Sequence, residues 1–192
     1  MAPARLATRL VRLAEILPVY ASLAWWGLVS PRLSEREPLV VVQAVIRSER
    51  GVLLTVRRDL RGWELPGGNA RPGESEAQAL QREVLEETGL AVEVVCLTGE
   101  YVRTGFRPHT ARVYACRAIG GTPRPSRETP EVRWFDPDLL PDTLFPWYRK
   151  PIADALSTDG AAEVHREHQG LSAVLRGMRI DLRMRASGDA AR

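Results

Sequence analysis

The sequence predicts an α/β fold, and three observations carry that expectation. Short β-rich runs stand on both sides of one strongly signalled helix. That helix carries both of its end signals. The apolar positions on it recur at spacings of three and four, the period of a helix docked by one face. At 192 residues with 44% hydrophobic content the chain can bury one core, and no internal repeat is visible.

The first elements are two β-rich runs, Leu39–Ile46 and Val52–Val56, separated by Arg47-Ser-Glu-Arg-Gly51. They read as a hairpin or as adjacent strands leading into Trp63-Glu-Leu-Pro-Gly-Gly68. Two glycines after a proline let the backbone approach a metal or a phosphate closely. Arg57, Arg58 and Arg61 lie before this turn, placed either to meet a polyanion or to form a solvated basic loop. Trp63 can stack on a base or pack against the sheet.

The helix follows. Ser75 with Gln78 three residues on is a capping box, and Gly89 stands where a C′ residue must turn left-handed, so a helix is expected from about Ser75 to Thr88. Ala77, Leu80 and Val84 form its apolar stripe, while Glu83, Glu86 and Glu87 gather on a different side within one turn. Like charges so close repel. A solvated acidic face, with Arg82 paired to Glu86, is one reading; a hard divalent cation held by carboxylate oxygens is the other.

The spacing favours the second. From Gly68 to Leu90 the chain runs Gly-x5-Glu-x7-Arg-Glu-Val-x-Glu-Glu-x-Gly-Leu, filled by Gly68, Glu74, Arg82, Glu83, Val84, Glu86, Glu87, Gly89 and Leu90. The run meets every specified position of the Nudix box, and the chain resembles the Nudix hydrolases from about Val40 to Asp154. The resemblance implies an α/β/α sandwich with a mixed β-sheet between helices. It implies metal ligation by Glu83, Glu86 and Glu87 with the Gly68 carbonyl, Glu74 as a supporting or secondary metal residue, and Arg82 orienting one of the glutamates. It also implies Mg²⁺, with Mn²⁺ as the alternative ion.

Beyond the box, Val92–Leu97 reads as a strand, and Gly99–Cys116 as two strands around a turn at 105–110. Arg103, Arg107, His109 and Arg112 make this hairpin basic, and Arg103 and Arg107 suit bidentate phosphate recognition. After the Pro-rich stretch 120–130 comes a strand, Val132–Phe135. In the family this loop often supplies a further glutamate acting as base, a role open here to Glu128 or Glu131.

The flanks are read separately: 1–37 as an amphipathic and apolar helical extension, 38–157 as the catalytic domain, and 158–192 as an extension. In the last, Met178–Arg185 alternates like an edge strand, His165 and His168 sit on a solvated helix, and the tail 186–192 is disordered. The uncharged run Ile16–Val29 is short for a bilayer span, so segment 1–29 packs on the domain or a second subunit, or lies on anionic lipid. Cys96 and Cys116 fall on strands without metal spacing and read as buried free thiols in a cytoplasmic protein. Net charge is +3 and Lys150 is the only lysine; with no long basic run, a nucleic-acid partner is not expected.

The functional expectation is Mg²⁺-dependent water attack on one phosphorus of a nucleoside diphosphate linked to another group. A nucleoside triphosphate pyrophosphohydrolase ranks second, and a catalytically silent nucleotide-binding or membrane-associated scaffold is the reading from another class. Arg57, Arg58, Arg103, Arg107 and Trp63 are the candidate substrate contacts, and a homodimer is an expected form.

Overall fold

Residues 20–21, 39–105, 108–157 and 162–187 are described by a computed structural model. Its elements in chain order are β1 (Leu39–Ser48), β2 (Gly51–Val56), β3 (Trp63–Glu64), β4 (Gly67–Gly68), α1 (Glu76–Thr88), β5 (Leu90–Gly105), β6 (His109–Gly121), β7 (Glu131–Phe135), α2 (Arg149–Leu156), β8 (Glu163–Gln169) and α3 (Leu171–Ser187). The main sheet runs β3-β2-β1-β6-β5-β8, with β4 paired to β1 and β7 to β2. It is mixed: β1 and β6 are parallel, as are β5 and β8, while the other pairs are antiparallel.

The two-residue period of the strands sorts side chains into two cores. Val42, Ala44 and Ile46 of β1 and Leu53 of β2 face α1, where they meet Ala79, Leu80 and Val84. Val45, Val52, Leu54 and Val56 face the other way, onto Tyr148, Ile152 of α2 and Met184 of α3. The result is the expected α/β/α sandwich.

Helix α1 starts where its cap dictates. Ser75 Oγ accepts the Gln78 N–H while the Gln78 side chain accepts the Ser75 N–H, and Gly89 ends the helix at φ 74°. Its inward stripe uses Ala79 rather than Ala77, which is exposed. Strands β1 and β2 pair directly only near their turn, at Arg47 with Val52 and Ser48 with Gly51. Beyond it they splay apart, and Trp63–Gly68 fills the gap: Trp63 pairs with Val56 and Gly67 with Gln43. Gly67 has φ 150°, and a Cβ there would stand 2.1 Å from the Val42 carbonyl oxygen, so this insertion requires glycine.

Several expectations are corrected. Met178–Arg185 is helical, inside α3, and the strand of this extension lies earlier, at β8, carrying His165 and His168. The local alternation of Met178–Arg185 conceals a helical seam in which Gly177, Asp181 and Met184 are the buried positions. A polar residue at the centre of that seam hides it from an apolar count. Strand β8 forms because β5 offers an open edge, and its inward residues, His165, Glu167 and Gln169, are polar. His165 stacks on Tyr101 and reaches Asp154 Oδ2 at 3.3 Å. Residues 186 and 187 complete α3 rather than belonging to a tail; 188–192 lie outside the described residues, as do 1–19 and 22–38 of the N-terminal segment. Strand β5 is continuous through bulges instead of two strands, and Cys96 on it is exposed while Cys116 is buried.

Candidate active site

The inserted turn Trp63–Gly68 brings the box helix to the end of a cleft. Gly67 N–H donates to Glu87 Oε2 at 3.0 Å, so Glu87, only 8% exposed, is seated against the turn. Glu83 abuts Gly68: a Cβ on that glycine would lie 2.5 Å from the Glu83 carboxyl carbon. Both glutamates therefore flank the inward seam of Leu80 and Val84, whereas Glu86 stays exposed.

Arg82 organises the remaining carboxylates. Its Nε and Nη2 donate to the two Glu74 oxygens, each at 2.9 Å, and Nη1 to Glu83 Oε1 at 2.8 Å and Glu86 Oε2 at 3.5 Å. The Arg82 bonds, with the Arg71 N–H, bring the Glu74 carboxyl down to about 2. Among the described residues no three carboxylates or imidazoles converge on one point, a departure from the preassembled ligand set that the box suggests. The physical reason is visible: the guanidinium draws Glu83 and Glu86 to itself, while Glu87 is held away from it by Gly67.

Glu87 is the strained member. Burial pushes its carboxyl up to about 7, against the pull of the Gly67 N–H and the Arg57 charge, and the Glu83 and Glu128 charges raise it further. Across the turn Glu64 is pushed up to about 8, again chiefly by burial, with Arg57 opposing and Glu87 reinforcing. The Glu64 and Glu87 carboxylates, both desolvated, and Glu83 beside Gly68 are oxygen donors of the kind that a hard divalent cation takes. In donor chemistry, though not in convergence on one point, the described residues fit such an ion.

The cleft leading away from Gly67 and Gly68 has a volume of about 440 Å³, within the roughly 300–1,000 Å³ usual for small-molecule sites. Arg57, Asp59 and Glu64 are among its charged lining residues, and Trp147, Val174 and Met178 among its apolar ones. Arg57 donates through Nε and Nη2 to Asp59, at 2.9 and 3.0 Å, and stands 3.8 Å from Glu64 Oε1. On the floor Tyr148 donates its hydroxyl to Glu64 at 3.3 Å and accepts from Gln43 Nε2 at 3.2 Å. Gln43 Oε1 is then a buried acceptor with no partner among the described residues.

The remaining candidates divide. Arg103 lines the floor, yet its donors serve the protein: Nε reaches Glu167 at 3.2 Å and Nη2 the Trp147 carbonyl at 2.9 Å. It braces β8 and the Pro146–Tyr148 turn rather than presenting a free phosphate contact. Trp63 as a base-stacking residue is corrected outright, because it is fully buried, edge-on to Phe135 and under the Arg133 guanidinium. Arg107 lies outside the described residues. The Arg58 N–H holds the Glu128 carbonyl at 2.9 Å, and Thr129 Oγ1 donates to the Glu87 carbonyl, so the loop carrying Glu128 is tied to the C-terminus of α1. Glu131 begins β7 opposite Val56.

Sequence reading missed Gln43, Asp59, Glu64, Trp147 and Tyr148. Glu64 alone carried a signal, as the one charged residue of Trp63-Glu-Leu-Pro-Gly-Gly68.

The model of the NUDIX domain family matches residues 37–155. The chain belongs to the Nudix family. Its relatives include a MutT-like protein of Streptomyces ambofaciens, 41% identical across 73% of this chain and 91% of that protein. A putative 8-oxo-dGTP diphosphatase of Bacillus subtilis (strain 168) is 32% identical across 63% of this chain and 80% of that protein. An ADP-ribose pyrophosphatase from Streptococcus suis 89-1591 superposes with a TM-score of 0.58 at 26% identity, over 67% of this chain and 99% of that one. Nudix hydrolases generally use divalent metal ions, which agrees with the oxygen donors gathered at Gly67 and Gly68. The Nudix match ends before β8 and α3, although α3 lines the cleft. Among the described residues no helix is long and apolar enough to cross a membrane.

Proposed function

We propose that this Nudix protein is a Mg²⁺-dependent hydrolase of a nucleoside diphosphate linked to another group. The observation that carries the reading is Glu87, a desolvated box glutamate bonded to Gly67, which itself lines the cleft. Relatives named as an 8-oxo-dGTP diphosphatase and as an ADP-ribose pyrophosphatase support a nucleotide diphosphate bond as the target.

Glu83, Glu86, Glu87 and the Gly68 carbonyl would hold the ion, with Mn²⁺ as its substitute. When bound, it would supply charge neutralisation at the diphosphate and lower the pKa of the attacking water. Arg57 has Nε and Nη2 engaged by Asp59, which leaves Nη1 to meet a phosphate oxygen. Gly67 and Gly68 keep side chains out of the reaction centre. Gln43 Oε1, unpartnered on the floor, accepts an N–H from the substrate. The water-directed base is Glu128, in the loop tied to the C-terminus of α1, Glu131, at the start of β7, or one of the box glutamates.

The flanking division is part of the proposal: 38–157 as catalytic domain between extensions 1–37 and 158–192 in a cytoplasmic protein, with segment 1–29 packed on the domain or on a second subunit of a homodimer, or else laid on anionic lipid. Vesicle partition of the full chain against one starting near Arg36 tests that contact, and equal partition removes it.

A panel of nucleoside diphosphate sugars, dinucleotides and nucleoside triphosphates, run with Mg²⁺ in ¹⁸O-water, identifies substrate and attacked phosphorus together. Turnover confined to triphosphates would replace this reading by the pyrophosphohydrolase one. Joint replacement Glu86→Gln and Glu87→Gln should abolish turnover with the fold intact; unchanged turnover would remove the metal assignment.

A further inference from the structure

We propose that Asp181, on the C-terminal helix outside the family match, is a positioning residue of the active site: it clasps the 57–61 loop and so sets Arg57 for substrate. The inference rests on Arg57 acting as a phosphate contact, as proposed above.

Asp181 is fully buried, and its carboxylate is saturated with donors. Oδ1 accepts the Arg61 backbone N–H at 2.7 Å. Oδ2 accepts the Tyr20 hydroxyl at 2.8 Å, and Arg185 Nε, one turn along α3, reaches Oδ1 and Oδ2 at 2.8 and 2.9 Å. Arg185 then spends Nη2 on the Asp59 carbonyl at 2.7 Å. The helix therefore grips the loop at two backbone points, Asp59 C=O and Arg61 N–H.

Asp59 passes that grip to the cleft. Its carbonyl is held by Arg185, while its carboxylate forms the bidentate pair with Arg57 and also accepts the Leu60 N–H at 2.9 Å. Arginine side chains in loops lose their orientation readily, since an exposed ion pair is weak and the long side chain is costly to order. Here the Arg57 side chain is 47% exposed, and its partner Asp59 is held through its backbone carbonyl by Arg185, which is itself paired to the buried Asp181. A purely structural clasp needs only to tether the loop; this one terminates on Asp59, the residue that orients Arg57 in the cleft.

Helix α3 has a second hand on the same cleft. Val174, Gly177 and Met178 line it, and Gly177 lies close enough to Trp147 that a Cβ there would stand 3.3 Å from the ring. The face of α3 that walls the cleft and the residue that holds the 57–61 loop thus belong to one helix.

The test is a double-mutant cycle in the full-length protein with Asp181→Asn, Arg57→Ala and both. Asp181→Asn should raise KM about tenfold while kcat changes less than about twofold, and the double variant should lose no more than Arg57→Ala alone. Losses that multiply would overturn the inference, because Asp181 would then act independently of Arg57. Should Asp181→Asn not fold, Arg185→Gln, which releases Asp59, is carried through the same cycle; if neither folds, the clasp is a folding element and the inference falls. A wild-type protein inactive across the whole substrate panel would sink the hydrolase reading instead. The cycle is then read as ADP affinity with Mg²⁺ by calorimetry, where non-additive weakening supports the clasp and additive weakening, or no binding, overturns it.

Discussion

Glu87 on α1 and Asp181 on α3 are both buried carboxylates on helices packed against the sheet, and they are treated in opposite ways. Asp181 collects a backbone N–H, a tyrosine hydroxyl and the Arg185 Nε–H shared between its two oxygens. Glu87 has one backbone donor, Gly67 N–H, and two carboxylates, Glu83 and Glu128, whose charges reach it. A buried charge with enough donors holds structure in place, whereas one left short of positive charge is poised for a ligand that brings it. The difference separates a clasp from a binding site without reference to any motif.

The comparison breaks most sharply by substitution. Glu87→Gln removes a charge that the fold pays to bury, so turnover should fall by about 10²–10³-fold, the scale of losing one electrostatic contact to the transition state, while thermal stability holds or rises. A destabilised Glu87→Gln would show that Glu87 is structural after all; thermal melts beside initial rates decide it.

Asp181→Ala should do the reverse to stability. Leaving Arg185 and the Arg61 N–H without their acceptor should cost about 3–5 kcal/mol, as breaking one side of a buried pair does. Urea unfolding with an unchanged m-value measures it.

The pH dependence of stability sharpens the contrast without mutation. Glu64 and Glu87 have folded values of about 8 and 7, above the ordinary 4.5. A carboxyl raised in the folded state binds protons there that the unfolded chain has released, so its stabilising contribution is full below 4.5 and is lost as pH rises through 7 and 8. Metal-free protein should therefore melt lower at alkaline pH than at pH near 5, and Mg²⁺ should restore most of the difference. A flat profile in Glu64→Gln would assign that residue's share; a flat profile in the wild type would refute the burial argument.

The smallest effect tests the part of the site built from local signals. Ser75→Ala removes the cap of the box helix and should cost about 1 kcal/mol, with activity of the folded protein retained.

Local signals account for what was legible. Helix α1 was read to within a residue because its cap, its terminating glycine and its seam are all contained in its own segment. Strands β1, β2 and β7 were legible for the same reason, through short runs rich in β-branched and aromatic residues. Helix α3 and strand β8 were exchanged because each shows the other's pattern at short range. The decisive facts, a buried Asp181 and an open β5 edge, are contacts with Tyr20, the 57–61 loop and a strand far away in sequence. Trp63 followed the same logic: an aromatic beside a phosphate-type turn is ambiguous until Phe135, Phe145 and Leu144 close over it.

The residue order alone was enough for the box helix, its ends and the carboxylates it carries, since fixed spacing on one helix sets which side chains are neighbours, and the resemblance carried by that spacing implied the bond attacked. Which buried carboxylate is satisfied and which is left poised is a matter of three-dimensional packing. Asp59, Glu64, Tyr148 and Asp181 reach the site from separate segments, and a carboxylate's charge state depends on the donors and solvent around it, which only the folded chain brings together.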